Sequence, residues 1–126
     1  MAKKDFTELK VWQIADQIFN MVIEDVKDFP RNRIALSLSD QLIRAVGSIS
    51  ANIAEGHGRG GDKELQRSLI IARGEISESR NWLIKVHRMG YSSDQRLGEY
   101  QEKFLILSKM MTLFIGEIRK RIKSSP

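Results

Sequence analysis

"EGHGRGGDKE", residues 55–64, decides how the rest of the chain is to be read. Gly56, Gly58 and Gly61 spell G-x-G-x-x-G with Lys63 just behind, a spacing that in α/β proteins turns a strand into a helix whose N-terminus faces a pyrophosphate. Such a loop needs a strand ahead of it. What precedes is "LSDQLIRAVGSISANIAE" (38–55), where Leu38, Leu42, Ala45, Ile49 and Ile53 recur at helical spacing. A Walker A loop fails too, because Asp62, Lys63 and Glu64 follow Gly61 where Lys and then Ser or Thr are needed. The stretch therefore reads as a helix end: Gly56 takes a left-handed backbone, Gly58 to Gly61 form the turn, and Asp62 caps the next helix.

Working outward, the periodicity predicts the remaining helix boundaries. Trp12, Ala15, Phe19, Val22 and Val26 form one stripe of a first helix over about 6–27, with Asp5 and Glu8 as its capping box and Pro30 as its stop. The second helix runs from near Leu36 to Glu55. The third, about 63–87, carries Leu65, Leu69, Ala72, Ile76, Leu83 and Val86, with Ser79 at the missing step, and breaks at Met89-Gly90-Tyr91. After "SSD", a fourth helix aligns Leu97, Tyr100, Phe104, Leu107, Met111, Phe114 and Ile118. Four long helices joined by short turns predict an all-α, antiparallel up-down four-helix bundle.

A chain of 126 residues, 41% hydrophobic and 29% charged, supports one domain over 1–126, with flexible ends at about 1–5 and 123–126. There is no cysteine, which removes disulfides, thiolate metal sites and cysteine nucleophiles. The charged "MAKKDF" start and the lack of a long apolar run predict a cytoplasmic protein with no membrane partner. A net charge of +5 favours polyanionic partners.

The first and fourth helices carry more apolar surface than one stripe explains. Val11, Ile14, Ile18 and Met21 form a second line on one, and Ile106, Met110 and Leu113 on the other. Their natural outlet is self-association, so these seven residues are the expected oligomer surface. On the second helix, Gln41, Arg44, Ser48, Asn52 and Glu55 share a face beside the small Ala45, Gly47 and Ala51. We read this polar line as a hydrogen-bonded network fixing helix register, with Arg44 paired to an acid such as Glu75 or Glu78 on the third helix.

Nothing catalytic emerges from the pattern. A bundle di-metal site wants Glu-x-x-His twice, but Ala54 and Ile84 stand three before His57 and His87. No nucleophile and base accompany the polar line, so neither an enzyme nor a cofactor is expected. The basic groups are more suggestive. Arg119, Lys120, Arg121 and Lys123 crowd the last turns of the fourth helix, where cations also suit the helix dipole, and Arg59, Lys63 and Arg67 surround the glycine turn. Two readings stand: these seven cations contact RNA or DNA phosphates, or they form a solvated basic surface, exposed aromatics for base stacking not being evident among them.

The stretches "FTELKVW" (6–12), "FP" (29–30) and above all "QLIRAVGSISANIAEGHGR" (41–59) resemble the 23S rRNA-intervening-sequence proteins of bacteria, and the likeness continues through "ARG" (72–74) and Glu78. The resemblance implies a compact four-helix bundle that assembles with itself as a homopentamer and has no enzymatic activity. A related branch comprises accessory proteins of diversity-generating retroelements, which implies nucleic acid and a reverse transcriptase or another protein as partners. This chain departs from the family pattern at Ile43, where an arginine is usual, and at His57, where an aromatic residue is more common.

Overall fold

The computed structural model describes residues 4–125, which form four long helices and, among the described residues, no strand. They are α1 (Lys10–Val26), α2 (Arg33–Arg59), α3 (Asp62–Arg88) and α4 (Asp94–Ser124). Chain-sequential neighbours pack together and α1 closes the bundle against α4. Opposite ends are marked by their own contacts. At one, Arg121 near the end of α4 reaches Asp62 at the start of α3, and His57 Nε2 lies 2.5 Å from the Lys4 carbonyl. At the other, Asp25 of α1 meets Arg96 of α4, and the Phe29 and Tyr91 rings pack 5.5 Å apart. Each helix therefore runs against its predecessor, the up-down order.

The Asp5–Glu8 capping box forms as expected, but it starts a separate 3-10 turn, Phe6–Glu8, and Leu9 in extended conformation divides that turn from α1. Trp12 packs edge-on to Phe6, with ring centroids 5.3 Å apart, which holds the turn against the helix. The second helix starts earlier than expected because the polar "RNR" is itself the start signal: Asn32 accepts a 2.9 Å hydrogen bond from the Ala35 amide. Ser93 caps α4 in the same way through the Arg96 amide. Because α4 continues to Ser124 and Asp5 holds its box, only residues 1–3 and 126 of the ends expected to be flexible lie outside the described residues.

At residues 55–64 the structure departs from the expected turn. Gly56 does not end α2, which continues through Gly58 to Arg59; the positive φ angles fall at Gly60 (74°) and Gly61 (92°), and Gly61, not Asp62, is the N-cap of α3. Gly56 is required for closeness instead. A Cβ there would stand 2.3 Å from Ser68 Cβ, so α2 and α3 touch backbone to side chain at this level.

In the core the α3 stripe is as predicted, Ser79 included, every member being buried. On α1 the core draws on both stripes: Ala15 and Val22 are buried as expected, Val11 and Ile18 of the second stripe join them, and Trp12, Phe19 and Val26 pack at the margin. The apolar arc of α1 faces both α2 and α4, and the residues at its centre are the most enclosed. On α4, Ile115 is buried where Phe114 was expected, leaving Phe114 half-exposed.

Candidate nucleic-acid interface

The bundle order collects both basic clusters at one end. Arg119, Lys120, Arg121 and Lys123 are exposed on the last turns of α4, and Arg59, Lys63 and Arg67 lie on the α2–α3 turn and the first turns of α3. The link between them is Arg121, whose Nη2 is 3.7 Å from Asp62 Oδ1. Among the described residues no acid pairs with Lys63, Arg67, Arg119, Lys120 or Lys123, so five of the seven cations are uncompensated by a direct partner. Arg59 is not among them: its guanidinium grips Glu55 at 2.6 Å, and that hydrogen bond, then the Glu55 and Glu64 charges, hold it above the ordinary arginine value. Arg67 and Arg59 flank a small cleft of about 160 Å³ with Asn52, Glu55, Glu64, Ser68 and Ile71, on the outer side of the α2–α3 pair.

The polar line on α2 divides in two. Ser48 Oγ lies 2.8 Å from Glu75 Oε2 across the α2–α3 contact, and Asn52 Nδ2 donates to the Ser48 carbonyl at 2.8 Å. Gln41 and Glu55 are exposed, and the side chain of Arg44 reaches into solvent. The expected pairing of Arg44 with an α3 acid is corrected: its partner is Asp40, one turn back on its own helix at 3.2 Å, with both side chains mostly in solvent. The acid on α3 goes to Ser48, which sits closer to the helix contact.

The expected oligomer surface needs correcting as well. Val11 and Ile18 are 4% and 0% exposed and belong to the core; Ile14, Met21 and Met110 are half-buried; Ile106 and Leu113 stand out at 44% and 70%. Leu105, at 55%, joins them unforeseen, and shallow hollows run along this α4 face beside Leu105, Ser108, Lys109 and Leu113.

Sequence reasoning missed a polar network at the opposite end. Arg96 makes a two-pronged contact with Asp25 (Nε–Oδ2 2.8 Å, Nη2–Oδ1 3.1 Å), reaches Glu99 at 2.7 Å, and lies over the Tyr100 ring. The Tyr100 hydroxyl donates to Asp25 at 2.5 Å. Burial first, and then this bond, raise the Tyr100 pKa well above the usual phenol value, while the hydrogen bond to Asp25 chiefly raises that of Arg96. The phenol is thus a fixed donor tying α4 to α1. Asp25 and Arg96 are far apart in the chain and no periodicity connects them. Among the described residues no group of three or more His, Asp or Glu side chains is placed to hold a metal, and no helix is long and apolar enough to cross a membrane.

The fold and this surface define an all-helical bundle with cations gathered at one end. The family model of the 23S rRNA-intervening sequence proteins matches residues 7–113, so the chain belongs to that family. A solved structure of a protein of unknown function from the S23 ribosomal protein family of Bacteroides thetaiotaomicron has the same fold, with a TM-score of 0.74 at 20% identity over 83% of this chain and 97% of that one. No curated protein matches in sequence.

Proposed function

We propose that this protein is a non-enzymatic, cytoplasmic accessory protein that assembles with itself, as a pentamer by its family resemblance, and binds RNA or DNA through its basic end. One observation carries the nucleic-acid half: the α4 terminus, with Arg119, Lys120 and Lys123 unpaired by any described acid, lies against the α2–α3 turn that carries Lys63. Uncompensated cations gathered at one end of the bundle attract phosphates by releasing the counterions condensed on them. The assembly half is supported by Leu105, Ile106 and Leu113, which expose large apolar side chains on the outer face of α4 beside Lys109 and Thr112. In a ring each basic end repeats around the axis, so weak phosphate contacts add if one strand spans them.

A second reading follows from Ile34, Leu36 and Met89, also exposed and located at the opposite end. There the protein is an interaction scaffold for a protein partner, a reverse transcriptase among them, and its charge only keeps it soluble. Titration of RNA and DNA at two salt concentrations separates the two. On the first reading affinity falls steeply with salt, and replacing Arg119, Lys120 and Lys123 together with Ala weakens binding and flattens the slope while the bundle stays folded. Binding that is absent at low salt leaves the scaffold.

A further inference from the structure

Beside the Arg121–Asp62 contact the basic end is not a flat surface. A cavity of about 280 Å³ opens between the residues leading into α1, the α2–α3 turn and α4, bordered by Lys4, His57, Asp62, Leu65, Phe114 and Arg121. A second hollow of about 390 Å³ lies across the Phe114 ring, between α4 and the start of α1. Phe114 rests on the core but is itself only half-buried, which places an aromatic ring beside Lys4 and Arg121, with Asp62 in the first hollow and Glu8 and Glu117 in the second. The cavity falls just short of the ~300–1,000 Å³ usual for small-molecule sites, too small for a dinucleotide and suited to a single ring system.

We infer that this cavity takes a nucleobase of a single-stranded nucleic acid, stacked against Phe114, with the adjoining phosphates on Arg121 and Lys4. Stacking on an aromatic ring and a cationic groove for the backbone are the two elements by which single strands are held without sequence readout. A duplex keeps its bases stacked on one another and offers none to such a hollow. Arg121 is available for phosphate. Its contact with Asp62 is long at 3.7 Å, with the two side chains 56% and 38% exposed, a geometry that contributes little to stability and yields to a stronger anion. Asp62, so released, accepts from the amino group of a base, as carboxylates do from cytosine.

The inference rests on nucleic-acid binding at the basic end, and the test separates failure of one from failure of the other. Fluorescence anisotropy compares the full chain with Phe114→Leu and with the Arg119, Lys120 and Lys123 triple alanine variant. The ligands are an unstructured single strand, its duplex, and the same strand carrying abasic sites. The Phe114→Leu change is expected to weaken single-strand binding about tenfold with an unchanged salt slope, to leave duplex binding as it was, and to have no effect on the abasic strand. The triple variant lowers affinity for all three and flattens the slope. If the abasic strand binds the native protein as tightly as the intact one, the cavity holds no base and the inference fails while the basic end stands; this comparison needs no variant to fold. The inference fails equally if a Phe114→Leu protein of native melting behaviour binds the single strand like the parent. Absence of any salt-sensitive binding by the native chain overturns both.

Discussion

Replacing Gly56 with alanine should loosen the whole bundle, although alanine is the better helix former and Gly56 lies in a helix interior. The added methyl carbon would stand 2.3 Å from Ser68 Cβ and 2.5 Å from its Oγ. Carbon atoms in contact prefer ~3.5–4.0 Å, so α2 and α3 would have to part by more than an ångström along the contact that their core residues share. The Ser68 hydroxyl can rotate away about χ1, but no rotamer change at Ser68 moves its Cβ. Overpacking of this kind costs about 1–3 kcal/mol, and a backbone-level clash belongs at the upper end, whereas the helix gains roughly 1 kcal/mol from losing glycine. The net is a loss of about 2 kcal/mol, or roughly 6–10 °C in melting temperature for a chain of this size. Gly58 provides the control two residues away: it is helical too, its added Cβ meets nothing within 4 Å, and Gly58→Ala should stabilise by up to ~1 kcal/mol. Paired thermal and urea melts of the two variants read the difference directly, and Ser68→Gly should restore much of the loss in Gly56→Ala. A Gly56→Ala protein as stable as the parent would refute the close approach of α2 and α3 and return Gly56 to the role of a helix terminator.

Asp25→Ala should cost about 2–3 kcal/mol in urea unfolding, because it strands the partly buried Arg96 guanidinium and the Tyr100 hydroxyl at once; a loss under about 0.5 kcal/mol would mean that water replaces the carboxylate without penalty. The Tyr100 pKa is raised in the folded state, so above about pH 10 the unfolded chain releases this proton first and stability falls as pH climbs toward the folded pKa. Below about pH 10 the group contributes no slope, and Tyr100→Phe should make the alkaline limb of a stability–pH curve shallower; an identical limb in the variant would sink the assignment. Light scattering should give the native protein a mass several times 14.5 kDa, and Leu113→Asp should shift it toward that value without unfolding the chain. A native monomer across micromolar concentrations would end the self-association reading.

Periodicity made the helices legible, and it worked best where a helix buries one narrow stripe. On α3 even Ser79 could be placed, since the apolar steps on either side left it no other position. It worked least well on α1, where apolar residues cover a wide arc and only the neighbours decide which line is deepest; hence Val11 and Ile18 passed for surface. Gly56 shows a different limit. Glycine serves both left-handed turns and close approach, and the sequence carries no trace of Ser68 lying opposite. At the basic end the residues themselves were readable, but their convergence depended on the pairing of Arg121 with Asp62. Arg44 was misplaced because a carboxylate one turn back competes with any acid across the groove, and Phe114 because a half-buried ring fits a core stripe as well as a binding wall.

The helices differ greatly in length, and this has a dynamic consequence. At 1.5 Å per residue, α1 with 17 residues spans roughly 26 Å and α4 with 31 roughly 46 Å. Asp25 holds the two level near Arg96, so the surplus of α4 falls at the basic end, where its last turn has no α1 alongside. In that turn only Ile122 packs on the core and Arg121 makes one long contact to Asp62, so its backbone amides should exchange with solvent by local fraying, while those near Phe104 and Met111 await global opening. The four cations of the α4 end therefore ride on a segment held by few tertiary contacts. Whatever grips it must first quiet it, trading some affinity for a terminus that can shape itself to an irregular strand, and slowed exchange at residues 119–124 would be the signature of an occupied end.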